Sequence, residues 1–165
     1  MASPLMRLTA TANGGGGDAV YVAAVPLRAA VGPPQLVMST AFSLNLWDFQ
    51  HLMVLIKPSS PPSEVFVFDF QPRCPESVEA AMAVLSGKSV PGVVLQRTLR
   101  NLPRRKCWLV GSSKGNALDM AAVFNSSWET DLRVGYHDCR DYTNGLVEHL
   151  TGEKRVVEQL RTNNG

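Results

Sequence analysis

Tyr136-His137-Asp138-Cys139-Arg140-Asp141-Tyr142-Thr143-Asn144-Gly145-Leu146-Val147-Glu148-His149-Leu150 reads as a loop that feeds a cysteine into the first turn of a helix. Asp138 is a good N-cap, and Asp141 puts negative charge in the first turn, where the helix dipole favours it. Tyr142, Leu146 and Leu150 recur at i, i+4 and i+8 with Thr143 and Val147 beside them, so one face is apolar and must pack on something. Gly152 follows the last periodic residue and can close the helix in the left-handed conformation. Cys139 therefore sits at a helix N-terminus, where dipole and backbone N–H groups favour a thiolate. Two readings stay open on the helix alone: a nucleophile, or a small buried residue of a type often found inside.

The partner for this helix lies upstream. His51-Leu52-Met53-Val54-Leu55-Ile56 and Glu64-Val65-Phe66-Val67-Phe68-Asp69-Phe70 flank a Pro/Ser-rich loop, the pattern of a β-hairpin. Both strands are apolar on both faces, so both faces are expected to be covered. His51 and Asp69 interrupt these runs. With the loop centred near Ser60 the cross-strand index sum is about 120, which makes His51 and Asp69 direct or near neighbours on one face. A slip of one residue would separate them. The plainer alternative is that they mark the solvated ends of two core strands. Packing the Cys139 helix across the open end of the hairpin would assemble Cys–His–Asp, with Asp69 fixing the imidazole tautomer. His149 is about 15 Å along the helix from Cys139 and suits a charge near the C-terminus. His137 precedes Cys139 in the loop, and its ring is expected to point elsewhere.

The remaining chain supplies more strands and helices. Ala19 to Val25 is a strand, Gln35 to Ser39 a short one, and Ser43 to Gln50 a loop or partial strand with apolar anchors. Pro75 can open a helix ended by Gly87, with Val78, Met82 and Leu85 along one face. Val90 to Leu99 is a strand, and Lys106 to Val110 one that pairs back after the turn at 101–104. Lys114 to Asn125 is a helix, Ser126 to Gly135 a loop, and Glu153 to Arg161 a last helix with Val156, Val157 and Leu160 inward. The expected fold is α+β: a small antiparallel β-sheet with packed helices. Its boundaries are 18–162, between a Gly-rich tail at 1–17 and a short tail at 163–165.

Composition excludes several classes. The chain has 165 residues and 45% hydrophobic content, enough for one domain with a full core. Charged residues are 18% and the net charge is +2, so no nucleic-acid partner is expected; the basic stretch Arg97 to Lys106 reads as a solvated turn. No run approaches about 18 apolar residues, so no membrane span is expected. The cysteine spacing makes no disulfide framework and no zinc pattern, so neither a metal nor another cofactor is expected, and Cys74 and Cys107 read as packing residues. Three widely spaced cysteines, an odd number, suit a reducing, cytoplasmic location, or an organellar one if residues 1–17 belong to a transit signal.

A histidine opening an apolar strand (His51 before Leu52-Met53-Val54-Leu55-Ile56), Phe68-Asp69-Phe70 on the next strand, and His137-Asp138-Cys139-Arg140-Asp141-Tyr142 at a late helix start resemble the circularly permuted papain-like proteins. These include the permuted NlpC/P60 group, the lecithin:retinol acyltransferase-like proteins and the PPPDE peptidases. The resemblance covers roughly residues 45 to 150 through short motifs. Asp138 and Tyr142 depart from the family's Asn-Cys-x-x-Phe pattern.

The resemblance implies a permuted papain-like fold and a thiol hydrolase or acyltransferase. Cys139 would be the nucleophile, His51 the base and Asp69 its orienter, acting on a small-molecule, lipid or peptide acyl substrate. Trp47, Phe49 and Trp128 are candidate walls of the substrate pocket, although such side chains are more often core. The alternative from another class is a non-catalytic protein-interaction module on the same fold. A redox-sensing cysteine ranks lower, because no resolving thiol is near Cys139 in sequence.

Overall fold

Six strands form one antiparallel sheet in a computed structural model that describes residues 17–26, 50–61 and 63–164. The strands are β1 (Ala19–Pro26), β2 (Gln50–Lys57), β3 (Val65–Pro72), β4 (Val90–Leu99), β5 (Cys107–Ser112) and the two-residue β6 (Asp131–Leu132). Their spatial order is β5-β1-β2-β3-β4-β6. Among the described residues four helices accompany them: α1 (Val78–Leu85), α2 (Ala117–Ser127), α3 (Cys139–Thr151) and α4 (Val156–Asn164). The expected α+β class is what the chain adopts. The expected strand at Gln35 to Ser39 and the anchors Trp47 and Phe49 lie outside the described residues.

The hydrophobic face of α3 drives the packing. Tyr142, Thr143, Leu146, Val147 and Leu150 are all buried, as the i, i+4, i+8 pattern requires. They join Val20, Val22, Leu52, Val54, Ile56, Phe68 and Phe70 from alternate positions of β1, β2 and β3 in one core. Val156, Val157 and Leu160 seal α4 onto it. The intervening strand positions Ala23, Met53, Leu55, Val65 and Val67 form a smaller buried cluster, so the hairpin strands are covered on both faces. Asp18 ties three elements together: it accepts from Ser59 N in the hairpin loop (2.9 Å) and from Ala117 N at the start of α2 (3.0 Å).

Several expectations need correction. β5 does not fold back onto β4; it crosses to the opposite edge and pairs with β1, where Val110 enters the main core. The loop expected over 126–135 contains β6, which pairs with the start of β4 through Val90↔Leu132. In α1 the N-cap is Ser77, whose side chain accepts from Ala80 N (3.2 Å), and Pro75 sits in the preceding turn. Val78 and Met82, which share one face, are each 64% exposed, and the helix packs through Ala83 and Val84. Cys74 is exposed rather than packed, whereas Cys107 is partly buried beside the smaller cluster. The last helix continues through Asn164.

Candidate active site

β2 and β3 pair through Val54↔Phe68, Leu55↔Val67 and Ile56↔Phe66, which is an index sum of 122. The sequence-based value of about 120 placed the loop centre one residue too early. The difference of two preserves the face, because side chains alternate with period two, and it turns His51 and Asp69 from directly opposed residues into diagonal neighbours. Backbone pairing between the two strands is confined to those three positions. Beyond them a side-chain bond links the strands: His51 Nε2 lies 2.8 Å from Asp69 Oδ2.

Asp69 is 1% exposed, and a carboxylate so buried requires partners on both oxygens. Oδ2 accepts from His51, and Oδ1 accepts from Arg97 Nη2 at 3.0 Å. Arg97 comes from β4, where Asp69 pairs with Leu95 and Val67 with Arg97. The guanidinium is therefore a diagonal neighbour of Asp69 on the same face. Sequence reasoning missed it, because Arg97 heads a run of basic residues that composition reads as a solvated turn.

α3 delivers Cys139 to the same place. Asp138 adopts an extended N-cap conformation, and its Oδ1 accepts from Arg140 N at 2.9 Å. Asp141 reaches back to Asp138 N at 3.0 Å, which completes a reciprocal capping box. Gly135 N donates to Asp138 Oδ2 at 2.7 Å and fixes the incoming loop. These bonds hold Asp138 below the usual carboxylate range: burial opposes its charge, but the Gly135 and Arg140 N–H groups and the Arg140 guanidinium outweigh it. Gly152 closes the helix at φ 84°, the left-handed cap expected of it. Cys139 is partly buried against the core and within hydrogen-bonding reach of His51.

Nε2 of the imidazole is engaged by Asp69, and Nδ1 is the nitrogen left to face the sulfur. Burial disfavours its cationic form, but the hydrogen bond to Asp69 and the bond and charge of Cys139 outweigh burial and raise the His51 pKa to about 9. Chemically, this is a thiol beside an imidazole whose protonated form is stabilised near neutral pH.

The other histidines and Trp128 are placed differently. His137 Nε2 bonds Glu129 O at 2.7 Å, and its ring stacks on Trp128 at 4.3 Å. His149 is exposed near the end of α3, beside Phe124. Trp128 packs among Phe70, Phe124, His137 and Tyr142, the core role such rings more often take. Among the described residues no cluster of His, Cys, Asp and Glu could hold a metal ion, and no helix is long and apolar enough to cross a membrane.

Comparison with known proteins returns nothing: no family model, no curated protein and no solved structure matches this chain. The functional reading stands on the geometry of His51, Asp69, Arg97 and Cys139.

Proposed function

We propose that this chain is a cysteine-dependent hydrolase or acyltransferase acting on an amide, ester or thioester of a small molecule, lipid or peptide. The observation that carries the reading is one imidazole, on His51, bonded to a buried carboxylate on one side and within bonding reach of a helix N-terminal thiol on the other. The resemblance to the permuted papain-like clan points the same way.

In this mechanism the Cys139 sulfur, its proton passed to His51, attacks the substrate carbonyl carbon and forms a C–S bond. The oxyanion of the tetrahedral intermediate is held by N–H groups at the start of α3, including that of Cys139. His51 then gives its proton to the leaving group as the carbonyl–heteroatom bond breaks. Water, or an acceptor nucleophile, loses a proton to His51 and releases the acyl group from sulfur. Asp69 keeps Nε2 bonded and Nδ1 facing the sulfur. The free cysteines fit a reducing compartment, and we assign the protein to the cytoplasm on that ground.

The test is the pH dependence of alkylation by iodoacetamide, read residue by residue by mass spectrometry, with exposed Cys74 as internal reference. Cys139 is expected to be alkylated faster than Cys74 at pH 6, and His51→Ala to remove that difference. A Cys139 profile indifferent to His51 would sink the catalytic reading. It would favour the second one, an interaction module, for which exposed Val134 and Tyr136 in the loop before Cys139 would be the first contact residues to examine.

A further inference from the structure

Asp69 has two partners, and the proposed mechanism uses only one. Arg97 Nη2 donates to Oδ1 at 3.0 Å while His51 occupies Oδ2. We infer that Arg97 is a positioning residue for the His51–Cys139 pair, holding one oxygen of Asp69 so that the other stays aimed at Nε2. The inference rests on the catalytic reading above and deepens it.

A carboxylate turns about its terminal torsion in a broad, roughly two-fold well, so one hydrogen bond does not fix it. Two bonds to opposite oxygens do. An exposed ion pair adds little, but this pair has one buried member, and removing its partner would leave a buried oxygen without a donor. Arg97 is itself 47% exposed, so its guanidinium stays hydrated while its bonding arm reaches in.

A purely architectural role is a poor account of this bond. β3 is already backbone-paired to β4 along its whole length, from Val65↔Leu99 to Pro72↔Gly92. A side-chain staple between those two strands adds nothing the ladder lacks. The link the ladder does lack is β2 to β3 at the level of His51, and that link depends on how the Asp69 carboxylate is turned.

Among the described residues, the charged and titratable groups beside the pair are Asp69 from β3, Arg97 from β4 and Cys139 from α3, with Asp138, Arg140 and Asp141 flanking Cys139 in the helix start and Val25 opposite His51 on β1. Tyr142 lies near Asp69, and burial keeps its phenol neutral. Loosening Asp69 weakens its hold on the imidazolium, and Cys139 reactivity falls with it.

The experiment is the rate of iodoacetamide alkylation of Cys139 at pH 6 in the full chain, for wild type, Arg97→Ala, Arg97→Lys, Asp69→Asn and the Asp69→Asn/Arg97→Ala double variant. Thermal melts establish that each is folded. Arg97→Ala is expected to slow alkylation roughly threefold to thirtyfold, inside the span of about twofold to 150-fold that coupling between contacting residues covers. Arg97→Lys, which keeps a donor and a charge, should recover most of that loss, and Arg97→Met takes the place of the alanine variant in both backgrounds if that one does not fold. In the Asp69→Asn background Arg97→Ala should change nothing further. An unchanged rate in Arg97→Ala, or an equal loss in both backgrounds, overturns the inference alone. A wild-type Cys139 no faster than Cys74 overturns the catalytic reading, and the positioning role with it.

Discussion

At the scale of the residue, the proton on His51 links site chemistry to stability. Its folded pKa is about 9, against an ordinary value near 6.5: burial works against the rise, while Asp69 and Cys139 cause it. The folded state therefore binds more protons than the unfolded state between those two values. Stability from this group is fully present below about pH 6.5 and is lost as pH rises through the folded value. The melting temperature of the wild type, measured against Asp69→Asn, should fall across that window. A difference that stays flat with pH would show that His51 gains no proton on folding. The two polar residues in this device were legible in the sequence because they interrupt wholly apolar strands. Arg97 was not, since nothing separates it from Arg100, Arg104 and Arg105 until the β3–β4 register is known. The register of Asp69 against Leu95 puts Arg97 two positions away on the same face, a signal available only once strand alignment is fixed.

At the scale of the element, α3 owes its start to one side chain. Asp138 is buried and accepts backbone N–H groups on both oxygens, from Arg140 and from Gly135. Asp138→Ala removes the cap and leaves those donors unmet, at a cost of about 1–2 kcal/mol. Asp138→Asn keeps one acceptor oxygen in place, and its cost should be smaller. Chemical denaturation of the two variants measures the gap; equal losses would mean that the cap oxygen is not what holds the loop. Gly92 offers a second check within β4. A side chain there would meet the Phe70 ring at 2.6 Å and Thr130 O at 2.7 Å, so Gly92→Ala should destabilise by about 1–3 kcal/mol, as overpacking does. Helix α3 and its caps were readable because an N-cap, an apolar stripe and a closing glycine agree. The inward face of α1 is not legible in the sequence, because its eight residues carry apolar side chains nearly all round. Periodicity cannot then choose between the Val78–Met82 ridge and the Ala83–Val84 face. β5 was sent to the wrong edge for a related reason: a short turn suggests pairing with the preceding strand, and only the vacant flank of β1 decides otherwise.

At the scale of the whole molecule, the site has no local existence. His51 comes from the second strand and Cys139 from a helix near the other end of the sequence, and only the shared core holds them together. Leu146 lies in that core, fully buried on α3 one turn beyond Tyr142. Leu146→Ala is expected to cost about 2–5 kcal/mol, a large part of the stability of a domain this size. Two signals can then be followed in one urea titration: helical circular dichroism, and the rapid alkylation of Cys139 at pH 6. If the domain unfolds in one step they should disappear together in the wild type, and together again at a lower urea concentration in Leu146→Ala. Alkylation lost well before the helical signal would mean that the hairpin and α3 separate while each persists. The His51–Cys139 contact would then be a weak docking of two units rather than a consequence of a single core.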